Sequence, residues 1–227
     1  MRSLLSDNDL HYIPLIDVGV CLEDQVAISK GKELDVFIKS KKHFAHDYEA
    51  VVWPGKVHFV DYLHPNSSLF WESQLDRLYQ KVPFSGIWLD MNEPSNFQGN
   101  EPVSETYRIQ YSESLNMMTI DVNLDHHSGS EKPFKHSEVH AYYGHLATLP
   151  TYKFLKRHGR PFIVSRSNSV GSGAYAAHWT GDNTADWDFL RLSISGNFLF
   201  QIFGVQMVGA DICGFHSNSF ILYRKHK

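Results

Sequence analysis

Cysteine is nearly absent from this chain, with only Cys21 and Cys213 among 227 residues. Two thiols without metal-ligand spacing rule out a disulfide framework, and they leave the redox compartment open. Long apolar runs are missing as well. No window approaches the ~18 consecutive apolar residues of a membrane-spanning helix, and Met1-Arg2-Ser3 leads to Asp7-Asn8-Asp9 where a signal peptide would place an apolar core. A transmembrane segment in this chain is therefore not expected. Positive charge is not in excess, because 21 Lys and Arg stand against 25 Asp and Glu for a net charge of −4. No basic surface argues for nucleic acid as a partner. No internal repeat or low-complexity tract occurs. What is present is 42% hydrophobic and 14% aromatic residues with 15 Gly and 9 Pro, an ordinary globular composition that can bury the core of one large domain or a domain and a half.

Short β-rich apolar runs recur at Tyr12 to Val18, Val51 to Trp53, Ile87 to Asp90, Phe162 to Ser165 and Val205 to Asp211. Between them lie stretches with helical spacing: Leu69 to Lys81 carries Leu75, Leu78 and Tyr79 on one side, and Asp186 to Phe203 carries Leu190, Ile194 and Phe198. This alternation predicts βαβ units and a parallel α/β sheet. Glu138 to Arg157 also has a helical pattern, with Gly159 and Pro161 as stop signals and Pro150 placed to kink or split it. Residues 94–136 break the rhythm and are expected to form a long insertion or lid loop. Asn66-Ser67-Ser68 is a sequon, a glycosylation site if the protein enters the secretory pathway.

Four of the apolar runs end in a carboxylate: Asp17, Asp90, Asp182 after His178-Trp179-Thr180-Gly181, and Asp211. A lone strand-end Asp is usually a helix cap or a solvated loop acid, but four of them suggest a cleft. Converging carboxylates suit glycosidic cleavage, in which one attacks the anomeric carbon and another, held protonated, donates to the leaving oxygen. They could also hold a hard cation, which would want more oxygen ligands and usually no stacking aromatics. Here Trp53, Trp88, Trp179 and Trp187 accompany the acids, and the apolar faces of sugar rings pack well on aromatic rings. His136 and His140 stand at helical i, i+4 spacing, yet Ser137 occupies the place of the zincin Glu, and His136-Ser137-Glu138 lacks the Pro-Cys-x-x-Cys partner of a deaminase. Neither a metal nor another cofactor is expected.

The run Trp88-Leu89-Asp90-Met91-Asn92-Glu93-Pro94-Ser95-Asn96-Phe97 strongly resembles the nucleophile motif of glycoside hydrolase family 31, the α-glucosidases. Further matches follow in the family's order: Val52-Trp53-Pro54-Gly55, His140-Ala141-Tyr142-Tyr143-Gly144, Arg160-Pro161-Phe162 with Ser165-Arg166-Ser167, His178 to Asp182, and Val208 to Phe215. The resemblance runs from about Tyr12 to Phe215. It implies a (β/α)₈ TIM barrel, here incomplete at roughly strands 3 to 7 of 8, that occupies residues 1–215 and is followed by a divergent tail at 216–227. It also implies a retaining α-glucosidase acting on terminal α-linked glucose of oligosaccharides, with Asp90 as nucleophile and Asp182 as general acid/base. Asp17, Trp53, Met91, Arg166, Trp179, Asp211 and Phe215 would form the sugar-binding pocket. Asp and Arg forks suit this work because they chelate hydroxyls through charge-assisted hydrogen bonds.

Trp88-Leu89-Asp90 followed by Met91-Asn92 resembles the lysosomal, intestinal and secreted maltases more than the Trp-Asn-Asp or Asp-Phe-Gly forms of other branches, so a lysosomal or secreted location is expected. The family's eighth-strand His has no visible counterpart, since Asn218 leads to Phe220-Ile221-Leu222-Tyr223 and the chain stops. The expectation is a partial catalytic domain, poorly soluble and inactive by itself because its sheet edges are open. The rival readings are a vestigial carbohydrate-binding fragment and an α-glucan lyase, which shares the fold and the nucleophile.

Overall fold

The computed structural model describes Leu5 and residues 7–39, 46–97, 125–126 and 134–216. Most of the expected insertion and the tail beyond residue 216 lie outside the described residues.

The Pro14-Leu15-Ile16 run gives β1 (Leu15–Asp17), and β2 (Gly19–Cys21) follows after one residue. Helix α1 (Gln25–Glu33) starts at Asp24, whose carboxylate accepts the Ala27 N–H at 3.2 Å, satisfying one of the amides that a helix start leaves orphaned. Next come β3 (Glu49–Val52) and β4 (Gly55–Phe59). The Val51–Trp53 run was expected to alternate with helices, and instead it joins a separate antiparallel sheet of order β2-β4-β3. The cause is the connection: Val52 pairs with Gly55, so only Trp53 and Pro54 link the two strands. Parallel neighbours need a crossover of a dozen or more residues, whereas two residues suffice for a hairpin. Gly55 takes φ +95°, which only glycine adopts readily.

Helix α2 (Ser67–Lys81) precedes β5 (Ile87–Asp90). A short ladder of β6 (Asp125–His126) with β7 (Phe134–Lys135) leads into the single-turn helix α3 (His136–Val139), a 3₁₀ turn over His140–Tyr142 and helix α4 (Tyr143–Lys156). Pro150 neither splits nor ends α4. The helix is held by its buried side, which includes Tyr143, Ala147, Phe154 and Leu155, and the hydroxyls of Thr148 and Thr151 donate to the carbonyls of Gly144 and Ala147 at 2.9 and 2.8 Å. Tertiary packing outweighs the local cost of proline here. Helices α2 and α4 lock together through Trp71 Nε1 donating to Thr151 Oγ1 at 2.8 Å and through the edge contact of Tyr79 with Phe154.

Then come β8 (Ile163–Ser165), β9 (Ala177–Trp179), helix α5 (Trp187–Ile202) and β10 (Val208–Gly209). The parallel sheet has the order β1-β5-β8-β9-β10, as the alternation of runs predicts. It is open among the described residues, with β1 and β10 at its edges, and does not close into a barrel. Helix α5 forms where its period predicts, but no residue on it is buried. Leu190, Ile194 and Phe198, the side expected to pack, are 57%, 59% and 63% exposed, because β10 at the sheet edge is the main element against this helix.

Candidate active site

The register of the sheet assembles the site. Asp17 pairs with Asp90 across β1 and β5, Leu89 with Ser165 across β5 and β8, Ser165 with His178 across β8 and β9, and Trp179 with Gly209 across β9 and β10. The strand ends are therefore level, and whatever follows each strand emerges at the carboxyl edge of the sheet. This is the edge at which open α/β sheets and barrels build their sites.

Arg166, one residue past β8, is the hub. Its Nε and Nη2 donate to the two carboxylate oxygens of Glu93, each at 2.7 Å, and its Nη1 lies 2.8 Å from Asp90 Oδ1. The same Nη2 reaches Ser95 Oγ and Met91 Sδ, both at 3.0 Å. Two-pronged pairing of this kind fixes the guanidinium plane as well as its position. Asn92, fully buried, ties the loop after β5 to the loop after β8 by donating to Ser165 Oγ at 2.8 Å and accepting the Ser167 N–H at 2.9 Å. Met91 sits at φ +56° with only 3% exposure. Left-handed backbone is uncommon for a residue with a Cβ, and strain of this sort collects at functional sites.

The electrostatics separate the acids. Burial, together with the charge of Asp90 and against the opposing charge of Arg166, raises the Asp17 pKa to about 6. Burial also raises Asp90, with Arg166 and the Met91 N–H pulling it back down and Glu93 and Asp182 adding to the rise. Burial pushes Glu93 upward, but the bonds and charge of Arg166, helped by Ser95, hold it below the ordinary value. Asp211 is raised by burial and by Asp182, with Trp179 opposing. The charge of Asp182 thus acts on Asp90, Asp211 and Arg166, which puts this exposed residue of the β9–α5 loop beside the same cleft. Gly181, at φ +89°, makes the turn into that loop.

Around the acids, Trp88 and Trp179 meet edge to face with ring centres 4.7 Å apart. Asp17 Oδ1 and Trp88 Nε1 are buried and make no hydrogen bond within the chain, polar atoms of a kind that native structures rarely leave unexplained. Trp53 stands on the tip of the β3–β4 hairpin, 74% exposed and 4.8 Å edge-on from Phe97, and the Phe97 N–H holds that hairpin by donating to Val51 O at 2.8 Å. Phe215, 62% exposed, follows β10, and its N–H donates to Asn183 O at 2.7 Å. All nine residues singled out from sequence therefore stand at the carboxyl edge or on loops bonded to it. Glu93, Asn92 and Ser95 were missed. They lay inside the quoted motif, but a carboxylate three residues beyond a strand end carries no mark of being an arginine's partner rather than a loop acid.

His136 and His140, weighed as zinc ligands, face each other with Nε2 and Nδ1 2.7 Å apart, and among the described residues no three or more His, Cys, Asp or Glu side chains are placed to hold a metal ion. No helix among those residues is long and apolar enough to cross a membrane.

Comparison with known proteins gives a consistent result. The model of the glycosyl hydrolases family 31 TIM-barrel domain matches residues 1–226. A probable α-glucosidase of Oryza sativa subsp. japonica is 36% identical over 225 residues, covering 95% of this chain and 25% of the relative. Alpha-xylosidase 1 of Arabidopsis thaliana is 36% identical over 243 residues, covering 91% of this chain and 26% of that protein. The crystal structure of an α3-Glc2-bound glucosidase II alpha subunit superposes with a TM-score of 0.79 at 28% identity, covering 95% of this chain and 22% of that one. The chain thus spans about a quarter of the length of the relatives it matches. With the family's domain model matching residues 1–226 and a parallel sheet that levels its acids at one edge, the chain belongs to glycoside hydrolase family 31.

Proposed function

We propose that this chain forms the central part, the third to the seventh strand, of the catalytic barrel of a retaining α-glucosidase. That enzyme would release terminal α-linked glucose from oligosaccharides or from glycogen- or starch-type substrates. Asp90 is the nucleophile: its carboxylate attacks the anomeric carbon, the glycosidic C–O bond breaks, and a glycosyl ester forms on Asp90. Asp182 protonates the leaving oxygen and then takes a proton from the water that cleaves the ester. Asp17, Trp53, Met91, Arg166, Trp179, Asp211 and Phe215 bind the ring. The observation that carries this reading is the Arg166 clamp, which opposes the burial of Asp90 and favours its ionised form while a second, exposed acid bears on the same atoms. The orphaned Asp17 Oδ1 and Trp88 Nε1 supply an acceptor and a donor for sugar hydroxyls. A lysosomal or secreted location follows the resemblance to maltases.

The uncovered edges and the bare face of α5 support a further part of the reading: residues 1–227 alone do not turn over, and activity belongs to a longer protein in which these surfaces are packed. Maltose offered to that protein should yield glucose whose first-formed anomer is α by proton NMR. A β anomer would replace double displacement with inversion, an anhydro-sugar would make the enzyme a lyase, and xylose released from α-xylosides in preference to glucose from maltose would move the substrate class. Equal glucose release from residues 1–227 alone would remove the fragment reading.

A further inference from the structure

A chain of largely buried rings that the proposed chemistry does not use runs from Asp61 to His140. Asp61 Oδ1 lies 2.8 Å from His126 Nδ1, His126 Nε2 lies 2.8 Å from His136 Nδ1, and His136 Nε2 lies 2.7 Å from His140 Nδ1. Asp61 and His126 are each 1% exposed and His136 is fully buried. The three histidines come from different elements, β6, α3 and the 3₁₀ turn, yet every link joins one ring nitrogen to the next with no nitrogen skipped. At the outer end, Glu93 is the charged group that acts on His140, and Glu93 is the acid held by Arg166.

We infer that Asp61, His126, His136 and His140 form a single-proton relay whose outer nitrogen, His140 Nε2, is an acceptor in one state and a donor in the other. The logic is set by valence. A neutral imidazole has one N–H and one lone pair, so each link fixes the next tautomer. The carboxylate of Asp61 accepts from His126 Nδ1–H. With all rings neutral, His126 Nε2 must then accept from His136 Nδ1–H, and His136 Nε2 from His140 Nδ1–H, leaving a lone pair on His140 Nε2. One proton arriving at that lone pair reverses every link. His140 passes its Nδ1 proton to His136 Nε2, His136 passes its Nδ1 proton to His126 Nε2, and the positive charge comes to rest on His126 against the Asp61 carboxylate.

Burial supports this placement of the charge. Desolvation, with the neighbouring rings adding to it for His136, pulls the pKa of His136 and of His140 down, Glu93 opposing at His140. Neither ring is therefore where a cation rests, whereas an opposite charge in contact favours one. Among the described residues, charged or titratable groups beside the relay include the Tyr143 ring of α4, which lies near His126 and His136 and whose hydroxyl burial keeps neutral, and the Asp125–Lys135 pair of β6 and β7. The consequence for chemistry, though not the relay itself, rests on the glycosidase reading. With His140 as donor, its outer N–H lies in the field of Glu93 and draws on that charge, which loosens the hold on Arg166 and with it the ionisation of Asp90. His140 is in this sense a positioning residue.

Histidine-selective ¹⁵N labelling of the full-length protein reads the tautomers directly. Between roughly pH 5 and 8, the span over which imidazoles titrate, His136 and His140 should change from Nδ1–H to Nε2–H together, with one midpoint. In Asp61→Asn the carboxylate that stabilises the cation is gone, and the joint change should move to lower pH by about one unit or more. Separate midpoints, or a His136 tautomer constant across the range, would overturn the relay from the wild-type spectrum alone, whether or not the variant folds. In the kinetic arm, Asp61→Asn should move the acidic limb of kcat/KM for maltose in the same direction as the tautomer midpoint, while Tyr143→Phe leaves it in place. An unmoved limb in Asp61→Asn overturns the link to Glu93. A wild-type protein inactive on maltose counts against the glycosidase reading, and the relay then stands or falls on the spectra.

Discussion

Replacing Asp17 by Asn should make the protein more stable at neutral pH, an unusual result for a change in a binding cleft. Asp17 is aligned with Asp90 on the adjacent strand, is partly buried, and has one carboxylate oxygen without a partner. Its pKa is lifted from 3.8 to about 6, first by burial and then by Asp90. An acid with a raised folded-state pKa binds its proton more readily folded than unfolded. The folded state is thus favoured by Asp17 at low pH, and that advantage is lost as pH rises from about 4 through about 6. Two units at about 1.4 kcal/mol each set a ceiling near 3 kcal/mol, and solvent screening of this partly exposed group roughly halves it, to about 1–2 kcal/mol. The asparagine side chain is nearly isosteric, has no charge to desolvate, and breaks no hydrogen bond at Oδ1. Urea midpoints of wild type and variant, compared from about pH 4 to pH 8, should coincide at the acid end and separate by that amount at the neutral end, in favour of the variant. Lower stability at neutral pH, or a difference independent of pH, would refute the reasoning. The cost should appear in function, as a raised KM for maltose, because the ionised oxygen is the proposed hydroxyl acceptor.

Asp90→Asn in the full-length protein should abolish glucose release, since a neutral amide cannot attack the anomeric carbon, whereas Asp182→Ala should keep a burst with a substrate whose leaving group is strongly acidic and lose turnover of maltose; equal losses on both substrates would remove Asp182 from its role. Phe154→Ala, at a fully buried position on α4 against Tyr79 of α2, should cost about 3–5 kcal/mol, read from urea midpoints. Ile194→Lys on the bare face of α5, at a residue 59% exposed, should change the stability of residues 1–227 by less than about 0.5 kcal/mol while raising their solubility; a large loss there would mean that the face is packed after all. Gly31→Ala should destabilise by about 1–3 kcal/mol, because its Cβ would fall 2.2 Å from Phe37 Cζ, and a melting temperature equal to wild type would show that the ring moves freely.

The parallel strands β1, β5, β8 and β10 were legible because each lies in an apolar run that ends near a polar residue, whereas β9 was not among those runs and only Asp182 beyond it marked the place; the strand ends turned out level at one edge. Val51–Trp53 was misplaced because period and composition do not distinguish a hairpin arm from a crossover strand; the two-residue link through Pro54 was the available signal. Pro150 misled in the other direction, since the rule that proline breaks helices describes a free helix and not one whose threonine hydroxyls and packed face hold it in place. Helix α5 was predicted from its period, but period says only which side is apolar and not what covers it. In the site, the residues that carry charge to a strand end were visible, while Glu93, Asn92 and the histidine relay depend on contacts between segments far apart in sequence, such as Asp61 with His126, that spacing does not encode.

Whether Asp90 bonds to the sugar tests the proposed mechanism most directly. A 5-fluoro-α-glucosyl fluoride forms the glycosyl ester quickly and releases it slowly, so brief incubation with the full-length protein, proteolysis and mass spectrometry should find the added sugar on the peptide holding Trp88 to Phe97, with Asp90 as the modified residue. Modification of Asp17 or Asp182 instead, or turnover of the reagent with no adduct on that peptide, would contradict the assignment.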